Sequence, residues 1–592
     1  MASTGSSNSC TMHSNRATSL VEQGIWALYA MVSATATSSV IGCDSASGGG
    51  ARISALNLCL LLSALACVSV AVALMRWASP GGPAWGRTAQ NQRLAAMAKP
   101  IPGPRGLPVF GSLLSLGPLA HRTLASLADK YNARPLIALS LANTRLIVAS
   151  LPSTAKEILT STSFANRPLK QSARQLLFDR AIGFAPYGDY WRKLRRIAAT
   201  HLFSPKRIAD HEAYRQSEIM CVLSVIADSL GRGSGSIELR PLLQKASLNN
   251  VMVSVFGRRY ALDEAGSVEG RELQSMVREG FELLGAFNLA DHLSALGAFD
   301  SQRIKQRCEA LVPRVQAFVS EILREHREAR KHMTIEELTT QRSSDFVHVL
   351  LSMQDEEALP DEDIIAILWE MIFRGTDSVA ILLEWVLAEL VLNPHIQEEL
   401  AAQIFSVVGE GRVVRDADIQ KLPLLQAVVY ETLRLHPPGP LLSWARLAIH
   451  DVEVAGHHVP VGTTAMVNMW AITHDASVWA EPLSFKPDRF LDAAGSGPTF
   501  DVRGGDLRLA PFGAGRRVCP GRMMGLATVN LWLAQLIQRF VFLPDASHPV
   551  DMSELLKLSC EMQYPLVARV VERQCSSTHA SQASTSSIPS AS

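Results

Sequence analysis

The sequence predicts a mainly α-helical protein with a small β region, preceded by an N-terminal transmembrane helix. Apolar residues return every three or four positions through 211–229, 302–331, 361–392 and 526–540, the period of helices with a buried face. Runs of β-like character, such as 135–148 and 451–467, are shorter and fewer. Near the start, the 23 residues from Ile53 to Met75 carry no charge and are bounded by Arg52 and Arg76. That length suffices to cross a bilayer as a helix.

Composition narrows the possibilities without naming a function. A chain of 592 residues with 47% hydrophobic content can bury a large core, and length alone permits about two to four average domains. A formal net charge of +1 leaves no footprint for a nucleic-acid partner or a strongly acidic substrate, so electrostatic docking must be local. The nine cysteines are odd in number, scattered and without a Cys-x-x-Cys pair. This is the pattern of a reducing compartment, with neither a disulfide framework nor structural zinc.

Residues 1–52 are rich in Ser, Thr, Ala and Gly and are expected to be a flexible segment lacking the apolar content to fold alone. Within them, the uncharged stretch Gly24 to Cys43 is interrupted by Thr and Ser, which makes it the weaker of two candidate spans. The anchor at 53–75 leads into a Pro/Gly-rich hinge at 76–112. Arg76, Arg87, Arg93, Lys99 and Arg105 fall in this hinge with no acid among them, so the positive-inside rule places the hinge and the rest of the chain in the cytosol. The prolines of Pro80-Gly81-Gly82-Pro83 and of 100–106 interrupt helix and read as a stiff spacer. One catalytic domain is expected over 113–571, and a disordered Ser/Ala/Thr-rich tail over 572–592. No dinucleotide fingerprint is evident, so any reducing equivalents the chain uses would have to come from another protein.

The chemistry concentrates in Pro511-Phe512-Gly513-Ala514-Gly515-Arg516-Arg517-Val518-Cys519-Pro520-Gly521. Cys519 is the candidate metal ligand, since iron ligation by sulfur requires a thiolate held at a fixed place. Gly513 and Gly515 permit tight turns before it. Pro520 suits the first turn of a helix continued by Leu526, Val529, Leu533, Leu536 and Phe540. The thiolate then stands at a helix N-terminus, where free amides favour negative charge. Arg517 adds a cation, and Gly521 leaves room for a flat macrocycle. The pattern Phe512-x-x-Gly515-x-Arg517-x-Cys519-x-Gly521 resembles the haem-binding signature of the cytochrome P450 superfamily.

That resemblance gives weight to motifs that are weak alone. Glu431-Thr432-Leu433-Arg434 and Phe485-Lys486-Pro487-Asp488-Arg489-Phe490 resemble the elements from which the family builds a buried structural triad, which implies Glu431, Arg434 and Arg489. Trp191-Arg192-Lys193-Leu194-Arg195 is similar to the motif whose tryptophan and arginine bond a haem propionate. Arg446 sits where the family often places another propionate partner. The implied cofactor is haem b, with Cys519 on the iron and Trp191, Arg195, Arg446, Phe512, Arg517 and Gly521 around it.

The oxygen-activating helix is expected to begin at Pro360-Asp361-Glu362-Asp363, with acids in its first turn. Its middle reads Phe373-Arg374-Gly375-Thr376-Asp377-Ser378. Gly375 weakens the helix, and a Ser378 hydroxyl bonded back to the turn would open a groove for oxygen and water. Asp377 beside Ser378 is the candidate proton relay. The superfamily usually has Thr at the position of Ser378 and a small residue at that of Arg374. Serine keeps the hydroxyl but loses the methyl that restricts its rotamer. Arg374 is four residues from both Glu370 and Ser378, so it either pairs with Glu370 or anchors a substrate carboxylate. The pocket is expected to include Trp369, Ile372 and Phe373 with Leu441, Leu442 and Ser443. Such walls suit a fatty-acid-like substrate, and a terpenoid or an aromatic equally.

The Phe373 to Asp377 core, Pro80 to Gly86 and Phe184 to Trp191 resemble the plant 78A subfamily, linked with organ growth. The resemblance implies a P450 fold that hydroxylates an apolar small molecule with O2. It also implies electrons from an NADPH-dependent reductase docked near Arg192, Lys193, Arg196 and Arg522, contact with membrane lipid, and no nucleic-acid partner. The expected location is the endoplasmic reticulum membrane, with the catalytic domain cytosolic. One alternative is a haem-thiolate isomerase or dehydratase that needs no reductase, against which Asp377 and Ser378 argue. The other is a non-catalytic haem-binding membrane protein.

Overall fold

The computed structural model describes residues 55–78 and 100–573, apart from 108–109, 234, 261–266, 294–299, 301, 335–344, 410, 443 and 493–499. The expected flexible segment 1–52 with its stretch Gly24 to Cys43, the hinge residues 79–99 and the tail from residue 574 lie outside the described residues. The helices that position the site are α1 (Ala55–Ala78), α2 (Asp189–His201), α3 (Glu212–Gly231), α4 (Arg240–Phe256), α5 (Val268–Gly285), α6 (Ile304–Lys331), α7 (Asp361–Leu392), α8 (Pro423–Leu435) and α9 (Arg522–Arg539).

The anchor expected at 53–75 is helical as α1, and its apolar side chains point outward. Leu60, Leu62, Leu65 and Val70 are each more than half exposed. Among the described residues, no single helix is long and apolar enough to cross a membrane. The apolar part of α1 that is described spans Leu60–Leu74.

At 32 residues, α7 organises the rest. It starts after Pro360 with Asp361, Glu362 and Asp363 in its first turn, where their charge meets the positive end of the helix dipole. It stops at Asn393, because Pro394 cannot continue it. Its N-terminal half, Ile364 to Phe373, packs in one core cluster with α2, α5 and α6. Its C-terminal half, Val379 to Val391, packs in another with α3, α8 and α9. Gly375 falls between the two halves, where α4 crosses. A Cβ there would lie 2.6 Å from a Val251 methyl, so the missing side chain admits α4, a packing demand that the sequence alone does not reveal.

The β region is small. Strands β1 (Ile137–Leu141), β2 (Thr144–Ala149), β3 (Arg446–Leu447) and β4 (Thr464–Val467) form a mixed sheet in the order β1-β2-β4-β3. β2 runs parallel to β4, with Leu146 opposite Thr464. The run expected at 135–148 is the β1–β2 hairpin. The run at 451–467 divides into a hairpin of Val452–Val454 with His457–Val459, followed by β4. β3 fixes Arg446 opposite Ala465.

The expected triad forms. Arg434 Nε and Nη2 donate to the two Glu431 oxygens at 2.7 and 2.8 Å, and Arg489 Nε donates to Glu431 Oε1 at 3.1 Å. Arg434 also donates to the carbonyls of Thr473, Pro482 and Ser484, so one buried side chain ties α8 to the loop beneath it. Arg434→Ala strips Glu431 of its bidentate partner inside the core. Unfolding free energy should fall by about 3–5 kcal/mol, read from urea unfolding; a change near zero would remove the triad from the stability of the fold.

Candidate active site

The sulfur loop opens on a cavity of about 340 Å³ lined by Cys519, by the middle of α7, by α2 and α4, and by Leu441, Leu442, Trp444 and Arg446. Cys519 N donates to Phe512 O at 3.0 Å, which closes the loop. Gly513 and Gly515 take φ of 70° and 66°, and a Cβ on Gly515 would sit 2.2 Å from Leu159 O. No other residue fits that turn without strain. Pro520 is not in the helix, contrary to expectation: α9 begins at Arg522 with Gly521 as its N-cap, so the Cys519-Pro520-Gly521 turn precedes it. The space Gly521 leaves is taken up by Phe203, 3.3 Å from where its Cβ would be.

Burial pushes the Cys519 thiol up, against the Gly521 N–H and the cations Arg374, Arg195 and Arg522. A coordinated metal overturns that preference, because it deprotonates the thiol that binds it.

Guanidinium groups converge on the same cavity. Arg517, pushed down to about 9 chiefly by burial and then by Arg446 and Arg195, donates to the carbonyls of Ala165, Ile182 and Ala185. Its guanidinium stands over the Trp191 ring. Trp191 Nε1 donates to Ile182 O at 2.9 Å, and Arg195 Nη1 to Val518 O at 3.0 Å. These three expected propionate partners are thus engaged with backbone as well as lining the cavity. Arg446 is held more loosely: its Nη2 donates to Ala514 O at 3.4 Å, its buried Nη1 has no hydrogen-bond partner among the described residues, and burial, then Arg195, lowers it to about 10.

Arg167 joins them without having been expected from the sequence. It lines the cavity with Nε and Nη1 buried and without a hydrogen-bond partner among the described residues. Burial, followed by Arg446, Arg374 and Arg517, lowers it well below the usual arginine range. The available signal is a lone charge in Phe164-Ala165-Asn166-Arg167-Pro168, after two residues that belong to the core. Buried donors of this kind call for acceptors. The donor set fits haem b: a thiol that iron would ionise, and unsatisfied guanidinium groups for two carboxylates.

Along α7, the cavity receives Glu370, Met371, Phe373, Arg374, Gly375, Asp377, Ser378 and Val379. Of the expected wall, Phe373, Leu441 and Leu442 are present. Trp369 and Ile372 are not among the lining residues: both are buried in the core cluster shared with α5 and α6, since helical phase turns them away from the face of Glu370 and Arg374. Ser443 lies outside the described residues. On α4, Asn250, Val251, Ser254 and Val255 complete the wall, a contribution that only tertiary packing reveals.

The expected back-bond in the middle of α7 is made by another residue. Thr376 Oγ1 donates to Ile372 O at 2.6 Å, whereas Ser378 is exposed and lines the cavity. Ser247 Oγ donates from α4 to Gly375 O at 3.4 Å, across the weakened turn. Burial, reinforced by Glu561, pushes the Asp377 carboxyl up to about 6, against Gln244, Arg240 and Lys557. Arg374 Nε lies 2.9 Å from Glu370 Oε1, so the pair implied by the four-residue spacing exists.

Outside the cavity, the expected basic patch is partly neutralised. Arg192 pairs with Asp189, and Arg196 with Glu357 at 3.0 Å. Lys193 Nζ donates to Ala358 O, and Arg522 Nη1 to Cys519 O.

Arg167→Ala removes two unsatisfied donors and should lower haem retained per chain at least several-fold, read as Soret absorbance against protein; full occupancy would remove Arg167 from the cofactor site. Asp377 gives a pH signature. Its raised value exceeds that of an unfolded aspartate, about 3.9, so folding takes up a proton between roughly pH 4 and 6. The contribution of Asp377 to stability is therefore fully present below about pH 4 and is lost as pH rises through 6. Asp377→Asn should flatten that slope in urea unfolding at several pH values.

Comparison with known proteins agrees with this geometry. Residues 101–564 match the cytochrome P450 family. Cytochrome P450 78A11 of Oryza sativa subsp. japonica is 53% identical over 92% of this chain and 99% of its own length. Cytochrome P450 78A7 of Arabidopsis thaliana is 56% identical over 86% and 93%. The flavonoid 3'-monooxygenase of Petunia hybrida is 35% identical over 79% and 91%. Proteins of this family bind haem b through an axial cysteine thiolate. With Cys519 in the matching loop and relatives of this likeness over most of its length, the chain belongs to the cytochrome P450 family, as an enzyme of the monooxygenase type resembling the plant 78A subfamily.

Proposed function

We propose that the chain hydroxylates an apolar small molecule with O2, using electrons from an NADPH-dependent reductase. The observation that carries this reading is one cavity lined both by Cys519 and by Asp377 and Ser378. Haem held there by Cys519 supplies oxygen activation, which sulfur donation to the iron promotes. The chain's own residues do the rest. Arg167, Arg195, Arg446 and Arg517 line the cavity and would hold the cofactor's carboxylates. Asp377, with a carboxyl near 6, is close enough to neutrality to take up and release protons in turn, and Ser378 presents a hydroxyl to the cavity. An isomerase or dehydratase working on hydroperoxides needs no such pair.

The lining supports an apolar substrate. Val255, Phe281, Phe373 and Leu558 are among its apolar lining residues, and a fatty-acid-like molecule suits it. The name of the Petunia relative refers to oxidation of a flavonoid by that protein, which supports monooxygenase chemistry without transferring the substrate. Likeness to the 78A subfamily supports a role in plant organ growth.

The outward-facing leucines of α1 support an anchor in the endoplasmic reticulum membrane, with the catalytic domain cytosolic and in contact with lipid. Arg192 and Arg196 remain about half or more exposed despite their acidic neighbours, which supports α2 as part of a docking face for the reductase.

The direct test is a screen of candidate ligands for a spin-state shift in the purified, membrane-trimmed protein, then turnover of the hits. Product should depend on O2, NADPH and reductase; product formed from a hydroperoxide without reductase would favour the isomerase reading. Ser378→Ala should raise peroxide released per NADPH oxidised about two-fold or more, because a missing hydroxyl slows proton delivery relative to peroxide escape. An unchanged ratio would take Ser378 out of proton delivery. A chain beginning at Pro100 should leave the membrane fraction, whereas the full chain stays with it.

A further inference from the structure

Away from the cavity, two groups of buried side chains among the described residues have the make-up of a metal site. The first is His121, Glu554 and Cys560, and it already holds a cation. Arg122 Nε donates to Glu554 Oε2 at 2.8 Å, the same oxygen that His121 Nε2 meets at 3.0 Å. Burial also pushes the Cys560 thiol up, away from the thiolate that a metal takes. The second group is His326, Asp345 and His348.

Three elements converge on this second group. His326 stands near the end of α6, and His348 lies in the short helix Phe346–Leu351, which Asp345 caps by accepting from the His348 N–H at 2.8 Å. The end of α4 packs against the carboxylate: a Cβ on Gly257 would lie 3.0 Å from Asp345 Oδ2. Asp345 Oδ2 is 2.6 Å from His348 Nδ1, and Asp345 Oδ1 is 3.7 Å from His326 Nε2. One ligand atom from each residue lies within 4.8 Å of the other two. Tetrahedral ligands about 2.0–2.1 Å from zinc stand roughly 3.3 Å apart, a value that the two measured spacings bracket.

Hydrogen bonding shows how His326 is turned. Its Nδ1 lies 2.8 Å from Ile322 O. A carbonyl only accepts, so Nδ1 carries the hydrogen and the neutral ring presents a bare Nε2 lone pair to Asp345. At 3.7 Å the two are beyond hydrogen-bond reach, and an ion between them would be bound by both. A backbone carbonyl on the far nitrogen is also how proteins orient a metal-binding imidazole. His348 can bring Nδ1 as the third ligand by moving its hydrogen to Nε2, a buried atom with no hydrogen-bond partner among the described residues. Arg207 feels the Asp345 charge, though its Nε is given to His201 O at 3.0 Å. Two imidazoles and one carboxylate suit zinc or a similar d-block ion, whereas calcium and magnesium need more oxygen ligands.

We infer that His326, Asp345 and His348 bind one zinc-like divalent ion, separate from the haem iron, that joins the end of α6 to the short helix before α7. None of the ligands is a cysteine, so cysteine spacing carries no sign of the site. Phe346, Val347, Val349 and Leu350 of that helix pack in the same core cluster as the N-terminal half of α7. The ion therefore braces the packing behind the oxygen helix without touching the cavity.

The test uses the purified full-length holoenzyme, incubated with zinc chloride and desalted, with zinc and iron counted per chain by mass spectrometry. One zinc per chain should remain beside the haem iron. Its X-ray absorption should show a shell of nitrogen and oxygen at about 2.0–2.1 Å and no sulfur. His326→Gln and His348→Asn keep a polar group in each place and should each weaken zinc binding by at least about tenfold. A zinc chelator should lower the melting temperature of the wild-type protein and leave that of both variants unchanged, an effect that hydrogen bonding alone does not produce. Haem content per chain checks that the variants are folded; if one loses haem, the wild-type stoichiometry, spectrum and chelator response decide. No retained zinc, a sulfur-containing shell, or zinc held equally by wild type and both variants overturns the site.

Discussion

Arginines buried around one cavity, with fewer carboxylates than cations, are the constraint on which the rest of this molecule depends. Taking a guanidinium out of water costs several kcal/mol unless acceptors replace the water. Arg517 and Arg195 meet that cost with backbone carbonyls, which forces the segments 165, 182–185 and 518 together. Arg167 meets it less fully, with Nε and Nη1 buried and without a partner among the described residues, and so does Arg446, whose Nη2 donates to Ala514 O at 3.4 Å while Nη1 is left over. The fold around the cavity is thus completed by a ligand. Like charges that lower one another through Arg167, Arg446 and Arg517 lose that mutual strain when carboxylates enter, which couples cofactor binding to stability.

α7 makes this arrangement possible because it belongs to both core clusters at once. Its two halves are anchored by apolar packing that has nothing to do with chemistry. Its middle is free to be irregular in composition, and there Gly375 lets α4 approach to contact. A larger residue at 375 would move α4, and with it Asn250 and Ser254 on the cavity wall. The weak point of the helix is therefore also the point that sets the shape of the pocket.

The elements with strong period or punctuation are legible in the chain. The bounds of α7 coincide with the expected stretch 361–392 because Pro360 with its acids, and Asn393 before Pro394, mark both ends. The triad of Glu431, Arg434 and Arg489 and the turn at Gly513 and Gly515 are readable for the same reason: each needs specific residue types whatever surrounds it. The features that stay hidden depend on direction. Trp369 and Ile372 are as apolar as Phe373, and only the rotation of α7 decides that Phe373 alone of the three reaches the cavity. Arg167 carries no pattern that separates it from a surface arginine until Phe164 and Ala165 are known to be buried. Composition suits Pro520 to the helix, whereas the turn that presents Cys519 needs the residues up to Gly521 before the helix can start.

The departures on α7 are connected by geometry. Thr376 commits its hydroxyl to Ile372 O, so the helix already has its back-bond two residues before 378, and Ser378 is left to the cavity. Without the methyl of threonine, its rotamer is less restricted, whereas the neighbouring Asp377 carboxyl is more tightly placed. That carboxyl accepts from Gln244 Nε2 at 3.5 Å and feels the charges of Arg240 and Lys557. One turn earlier, Arg374 is fixed by Trp444, Phe184 and Glu370. Arg374 and Ser378 are four residues apart, about 6 Å along the axis, so both departures fall on one face of α7, the face that lines the cavity.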